Sequence, residues 1–153
     1  MEISLGAPDL VVSDTSAPLS AVLGETIHIS WTVTNQGSSD ALADWQDAVY
    51  VSENANFYGN YIRIASCSTA SHTPIAAGGS YTITMDVNIP DIATGNRFLI
   101  FYTDWSTDQS ETSDSNNWTA EPILLDAPDL TVSFADGPDS ARLDLDPARL
   151  RPR

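Results

Sequence analysis

A chain of 153 residues with 42% hydrophobic content is long enough for one domain with a sizeable core and too short for two ordinary ones. Its 21 acids face six basic residues, all of them arginine, and residues 1–140 carry only Arg63 and Arg97, which leaves nucleic acid and anionic membrane surfaces as poor partners. The single cysteine, Cys67, excludes an intradomain disulfide, and no run of 18 apolar residues is present to insert in a membrane.

Residues 1–7 read as a lead-in, since Met1–Gly6 is too short and too acidic for a signal peptide, and the expectation is of an excised fragment or an export signal elsewhere in a larger protein. The first expected strand is Leu10–Ser13. The segment Glu25–Thr34 then alternates, with Ile27, Ile29, Trp31 and Val33 on one face and Thr26, His28, Ser30, Thr32 and Thr34 on the other, as a half-buried strand requires. After a turn at Asn35–Ser39 come the shorter candidates Ala48–Ser52 and Tyr61–Ser66, separated by Gly59-Asn60. Beyond Gly78-Gly79, Ser80–Ile89 alternates again, with Tyr81, Ile83, Met85, Val87 and Ile89 expected inward. Arg97–Thr103 and Trp118–Leu125 complete a set of seven. No window shows helical periodicity. The predicted fold class is therefore all-β, an immunoglobulin-like β-sandwich of about seven antiparallel strands over residues 8–126.

A repeat lies at the end of this unit. Ala7-Pro8-Asp9-Leu10-Val11-Val12-Ser13 returns as Ala127-Pro128-Asp129-Leu130-Thr131-Val132-Ser133, and the same offset persists to Pro18 and Pro138, Ser20 and Ser140, and Ala21 and Ala141. Residues 127–141 thus read as the opening of a truncated second module, in which case neighbouring repeat modules are the first partners. Residues 142–153 have no strand pattern and are expected to form a disordered or non-native tail.

The ordered set Pro8-Asp9-Leu10-Val11-Val12, Gly24-Glu25-Thr26-Ile27, Ser30-Trp31-Thr32-Val33-Thr34-Asn35-Gln36-Gly37, Trp45–Ser52, Gly79–Thr82 and Asp114-Ser115-Asn116-Asn117 resembles the cell-adhesion-related domain of bacteria, CARDB. That resemblance implies a sandwich of the immunoglobulin type, found in tandem or beside other modules of secreted or surface proteins, with no enzymatic activity assigned to the domain. In that family glutamates usually precede the paired asparagines, whereas here the segment reads Glu111-Thr112-Ser113-Asp114.

The longest segment between expected strands, Asp104–Asn117, offers Asp104, Asp108, Glu111 and Asp114 among amide and hydroxyl oxygens, the hard ligands that Ca²⁺ takes in sets of six to eight. The spacing is not that of an EF-hand, because the sixth position counted from Asp108 is Ser113 where glycine is needed. A solvated acidic loop with side-chain turns is the plainer alternative. Trp45 and Trp105 flank turns beside acids, as indoles do where they stack on a glycan, although such residues also plug the ends of sandwiches.

Catalytic patterns are missing. His28 lies on a polar strand face, His72 lies in a loop before Pro74, Cys67 reads as a half-buried thiol, and no Gly-x-Ser-x-Gly or glycine-rich phosphate loop occurs. The leading expectation is a non-catalytic repeat module of a bacterial extracellular or surface protein, acting as spacer or adhesive surface toward a protein or glycan. The alternative is a calcium- or carbohydrate-binding accessory domain attached to a secreted enzyme.

Overall fold

The alternation of Thr26–Asn35 is realised as a strand whose inward residues Ile27, Ile29, Trp31 and Val33 are all buried. The computed structural model describes residues 5–133. In chain order its strands are β1 (Leu10–Ser16), β2 (Ser20–Val22), β3 (Thr26–Asn35), β4 (Gln46–Ser52), β5 (Tyr61–Ser68), β6 (Ser80–Asn88), β7 (Gly95–Tyr102) and β8 (Trp118–Asp126), with no helix among the described residues.

Two sheets result, one ordered β1-β3-β6 and the other β2-β8-β7-β4-β5. All seven predicted strands are present, and an eighth, β2, was not foreseen because three residues are too few to show alternation. It also departs from the antiparallel expectation, since it pairs parallel to β8 through Ser20 with Leu124 and Val22 with Asp126. The chain changes sheets between β1 and β2, after the register of β1 on β3 shifts between Ser13 and Ser16 and Asp14 takes a positive φ of 49°.

The core is the space between the sheets. Trp31 from one sheet meets Phe101 from the other at 5.6 Å between ring centroids, with Leu10, Val49, Val51, Leu99, Ile123 and Leu125 around them. Met85, expected inward with its neighbours, is only half-buried. The outer face of the larger sheet is not uniformly polar: Ile100 is fully buried there, and Tyr50, Tyr61, Tyr102 and Trp118 gather around Phe57 from the β4–β5 turn, with ring centroids 5.1 to 5.5 Å from Phe57. Such edge-on contacts suit the ring quadrupoles and cover a second apolar surface.

Residues 127–133 follow β8 outside any strand, and Leu130 and Val132 are 90% and 87% exposed. The proposed continuation of the repeat to 141 and the tail 142–153 lie outside the described residues, apart from that segment.

Candidate metal centre

Two acidic systems adjoin the end of β7. The first is wholly internal. Asp47 on β4 is fully buried and accepts hydrogen bonds from Trp31 Nε1 at 3.0 Å, the Tyr81 hydroxyl at 2.7 Å and Thr103 Oγ1 at 2.6 Å. Its carboxyl also accepts the main-chain N–H of Asp104. Burial raises its pKa above the usual carboxylate range, and the donors pull against that rise.

One residue on, Asp104 turns the chain out of the sheet with a φ of 49°. Its carboxylate accepts the N–H groups of Asp108 at 2.8 Å and Gln109 at 3.1 Å, which closes the first turn of the 104–117 loop. Gln109 Oε1 accepts the Ala43 N–H, and Thr103 N–H donates to the Asn117 carbonyl across the base of the loop. On the other side the loop grips the opening strand: Leu10 N–H donates to Glu111 Oε1 at 2.8 Å, Asn116 Nδ2 to Asp9 Oδ1 at 2.9 Å, and Thr112 N–H to the Pro8 carbonyl at 2.9 Å.

Folded this way, the loop brings one carboxylate oxygen each of Asp104, Glu111 and Asp114 within 4.8 Å of one another. Desolvation, followed by mutual repulsion that the local hydrogen bonds only partly offset, pushes Asp104 up to about 6 and Glu111 up to about 7. No positive side chain answers them, since the one ion pair among the described residues joins His28 to Asp86 on the smaller sheet. The side-chain amide of Asn117 is buried and donates its nitrogen to Glu111 at 2.6 Å, while its oxygen has no partner. A buried acceptor left over beside three uncompensated carboxylates is a donor set made of hard oxygen, and it fits a divalent cation.

Of the four acids proposed from sequence, three converge and Asp108 does not. Asp108 is exposed, with its carboxylate accepting the Ser106 hydroxyl and only its main chain serving the loop. Of the two tryptophans proposed as stacking groups, Trp45 needs correction. Trp45 is 1% exposed, with Nε1 donating to Tyr81 and Thr103, because it shares the inward phase of Asp47, Val49 and Val51; extending that alternation two residues back would have revealed it. Trp105 is half-buried, and the Arg63 guanidinium covers its ring at 4.7 Å. Asn117 was visible in sequence only as part of a motif, with nothing to show that its amide would be buried.

Other reactive groups are quiet. Burial pushes the Cys67 thiol up to about 11, and the His72 ring stacks on Tyr81 at 4.9 Å. A cavity of about 220 Å³ lies at the far end of the larger sheet, lined by Val51, Glu53, Tyr61, Ile62, Ile92 and Arg97 and remote from the carboxylate trio.

The CARDB family model matches residues 7–121. The chain belongs to the CARDB family. This membership makes it a module of a non-catalytic family. Among solved structures, the CARDB domain of a Pyrococcus furiosus protein, in complex with di-metal ions, is similar at a TM-score of 0.55 and 14% identity, covering 82% of this chain and 94% of that one. A solution structure of the same archaeal domain also gives a TM-score of 0.55 at 15% identity, covering 78% and 95%. A β-glucosidase from Listeria innocua, in complex with glucose, matches at a TM-score of 0.51 and 14% identity over 77% of this chain but only 16% of the enzyme. At these identities the likenesses establish the fold alone. No curated protein matches the chain.

Proposed function

We propose that this CARDB domain is a non-catalytic spacer and adhesive module of a bacterial extracellular or surface protein, and that a divalent cation, Ca²⁺ by its ligand chemistry, stiffens one of its ends. The observation that carries the reading is the convergence of Asp104, Glu111 and Asp114 without a countercharge, in a loop that also holds Pro8–Leu10. The carboxylates and the Asn117 amide would hold the ion, and water or main-chain oxygens would complete its shell. A bound cation offsets the repulsion among the acids and ties the β7–β8 loop to the start of β1, so that force or heat applied at this end meets a cross-linked corner. The di-metal complex of the Pyrococcus furiosus domain supports cation binding by a domain of this fold. Placement outside the cell rests on the kind of protein in which CARDB modules occur, and on the repeated opening strand, which suits an array.

The test is a pair of thermal melts at neutral pH, one with millimolar CaCl₂ and one with chelator. A native-state site raises the melting temperature by several degrees when the cation is far above its Kd. Curves that superimpose for Ca²⁺, Mg²⁺ and Mn²⁺ alike would remove the cation from this proposal.

A further inference from the structure

We infer that the 104–117 loop of each module is the joint to the module before it, and that the cation bound there sets how stiffly two consecutive modules are held. The inference rests on the cation proposed above and on residues 127–133 opening a following module. That segment reproduces Ala7–Ser13 in six of seven positions, so the contacts of Ala7–Leu10 are a template for Ala127–Leu130. Every residue of the template is anchored. Ser38 N–H donates to the Ala7 carbonyl at 3.1 Å, Thr112 N–H to the Pro8 carbonyl at 2.9 Å and Gln36 N–H to the Asp9 carbonyl at 2.8 Å. Asp9 N–H donates to Asn35 Oδ1 at 3.0 Å and Leu10 N–H to Glu111 Oε1 at 2.8 Å, while the Asp9 carboxylate takes the side-chain amides of Gln36 and Asn116 at 2.8 and 2.9 Å. Pro128, Asp129 and Leu130 keep the residues that these contacts use. The fit is close as well, for a Cβ on Gly37 would sit 2.3 Å from the Ala7 carbonyl oxygen.

On the other side of the junction, Asp126 closes β8, where it pairs with Val22 and its carbonyl accepts the Leu23 N–H at 2.9 Å. Asp126 and Ala127 are consecutive, so one module holds the first and the next module holds the second with no free residue between them. Such a junction turns on a few backbone dihedrals and is no flexible linker. Entry and exit lie at opposite ends of the sandwich: Leu10 pairs with Asn35 at the end of β3, whereas Asp126 meets Leu23 just before β3 begins at Thr26. Consecutive modules therefore follow one another in line, the exit end of one against the entry end of the next. At the exit end Leu19 and Leu124 are 82% and 40% exposed, an apolar edge for the following module to cover. Three of the anchoring residues, Glu111, Thr112 and Asn116, belong to the cation loop, and Asn35, Gln36 and Ser38 lie at the end of β3 and in the turn after it. Without the ion, repulsion among Asp104, Glu111 and Asp114 loosens the loop and with it that half of the anchors; with the ion, both halves hold. Relative motion of modules, the ordinary state of a small inter-domain contact, then falls under cation control.

The experiment lengthens the chain: residues 1–133 are continued by residues 14–153 of a second copy, so that Ala127–Ser133 itself serves as the second β1. Both modules carry Cys67→Ser and a spin label at Thr84→Cys, an exposed site on β6. Inter-module distances are read by pulsed electron resonance at neutral pH, in Ca²⁺ and in chelator. The expected distance distribution is at least twofold narrower in Ca²⁺. Asp114→Asn in the second module should abolish the narrowing at a Ca²⁺ level that just saturates the parent, and the same change in the first module should leave it intact, because the first loop faces away from the junction. A width indifferent to Ca²⁺ in a chain whose melting temperature Ca²⁺ raises would overturn the joint and leave the cation proposal standing; where neither responds, both fall. Equal effects of the two Asp114→Asn changes would also overturn the inference. So would a lengthened chain with no more β-sheet circular dichroism than the parent, since residues 127–133 would then open no second module.

Discussion

Asp47 and Asp104 are both 0% exposed and are joined through one hydrogen bond, yet their surroundings are opposites. Around Asp47 stand the Trp31 indole and the Tyr81 and Thr103 hydroxyls, donors that satisfy a carboxylate taken out of water. Around Asp104 stand two main-chain N–H groups and then further acids, Glu111 and Asp114. The first arrangement is complete in itself and holds the two sheets in register. The second is electrostatically unfinished, which is what makes it a place to look for a ligand rather than another piece of core.

The sharpest way to break the comparison is to empty its satisfied half. Asp47→Ala removes the acceptor of three buried side-chain donors, of which only the Tyr81 and Thr103 hydroxyls can still answer each other, at 3.3 Å; at about 1–3 kcal/mol for each group left unpaired the loss of stability should reach on the order of 3–5 kcal/mol, read by urea denaturation. Trp45→Ala should cost about as much, roughly 3–5 kcal/mol, as expected for a large buried ring. A loss under about 1 kcal/mol in either variant would contradict the described burial.

The unfinished half should betray itself through pH. Glu111 and Asp104 have folded values of about 7 and about 6, above their ordinary 4.5 and 3.8. The associated stability is therefore fully present below the unfolded values and is lost as pH rises through about 6 and then about 7. In chelator the melting temperature should fall between about pH 5 and about pH 8, and saturating Ca²⁺ should remove most of that fall. A chelated protein that grows more stable over this interval would reverse the assignment.

Asp114→Asn refines the point, because Asp114 is exposed and no hydrogen bond ties its side chain to the fold. Cation-free stability should stay within about 0.5 kcal/mol of the parent, while Ca²⁺ affinity measured calorimetrically should drop by about tenfold, roughly 1.4 kcal/mol. The smallest effect belongs to Trp105→Ala, which removes the ring under Arg63 and should cost about 1 kcal/mol with Ca²⁺ affinity unchanged.

What was legible beforehand followed from period-two patterning. Ile27 to Val33 and Tyr81 to Ile89 announced their inward faces because a strand places alternate side chains on one side whatever it packs against. The same rule misled where it was applied too briefly, as at Trp45, and had nothing to act on in the three residues of β2. The candidate site was half visible: the acids of the 104–117 loop are plain in composition, but their convergence depends on Asp104 folding back over Asp108 and Gln109.

By itself, then, the order of residues determined an all-β sandwich, its strand faces, and a repeated opening strand, since these depend on local alternation and on matching segments. Tertiary structure alone decided that Asp104, Glu111 and Asp114 meet while Asp108 stays outside, that Asn117 is buried among them, and that Phe57 gathers the aromatic rings on the outer sheet. Those outcomes join residues far apart in sequence or within an irregular loop, where no period constrains the side chains and only the closing of the chain on itself sets the distances.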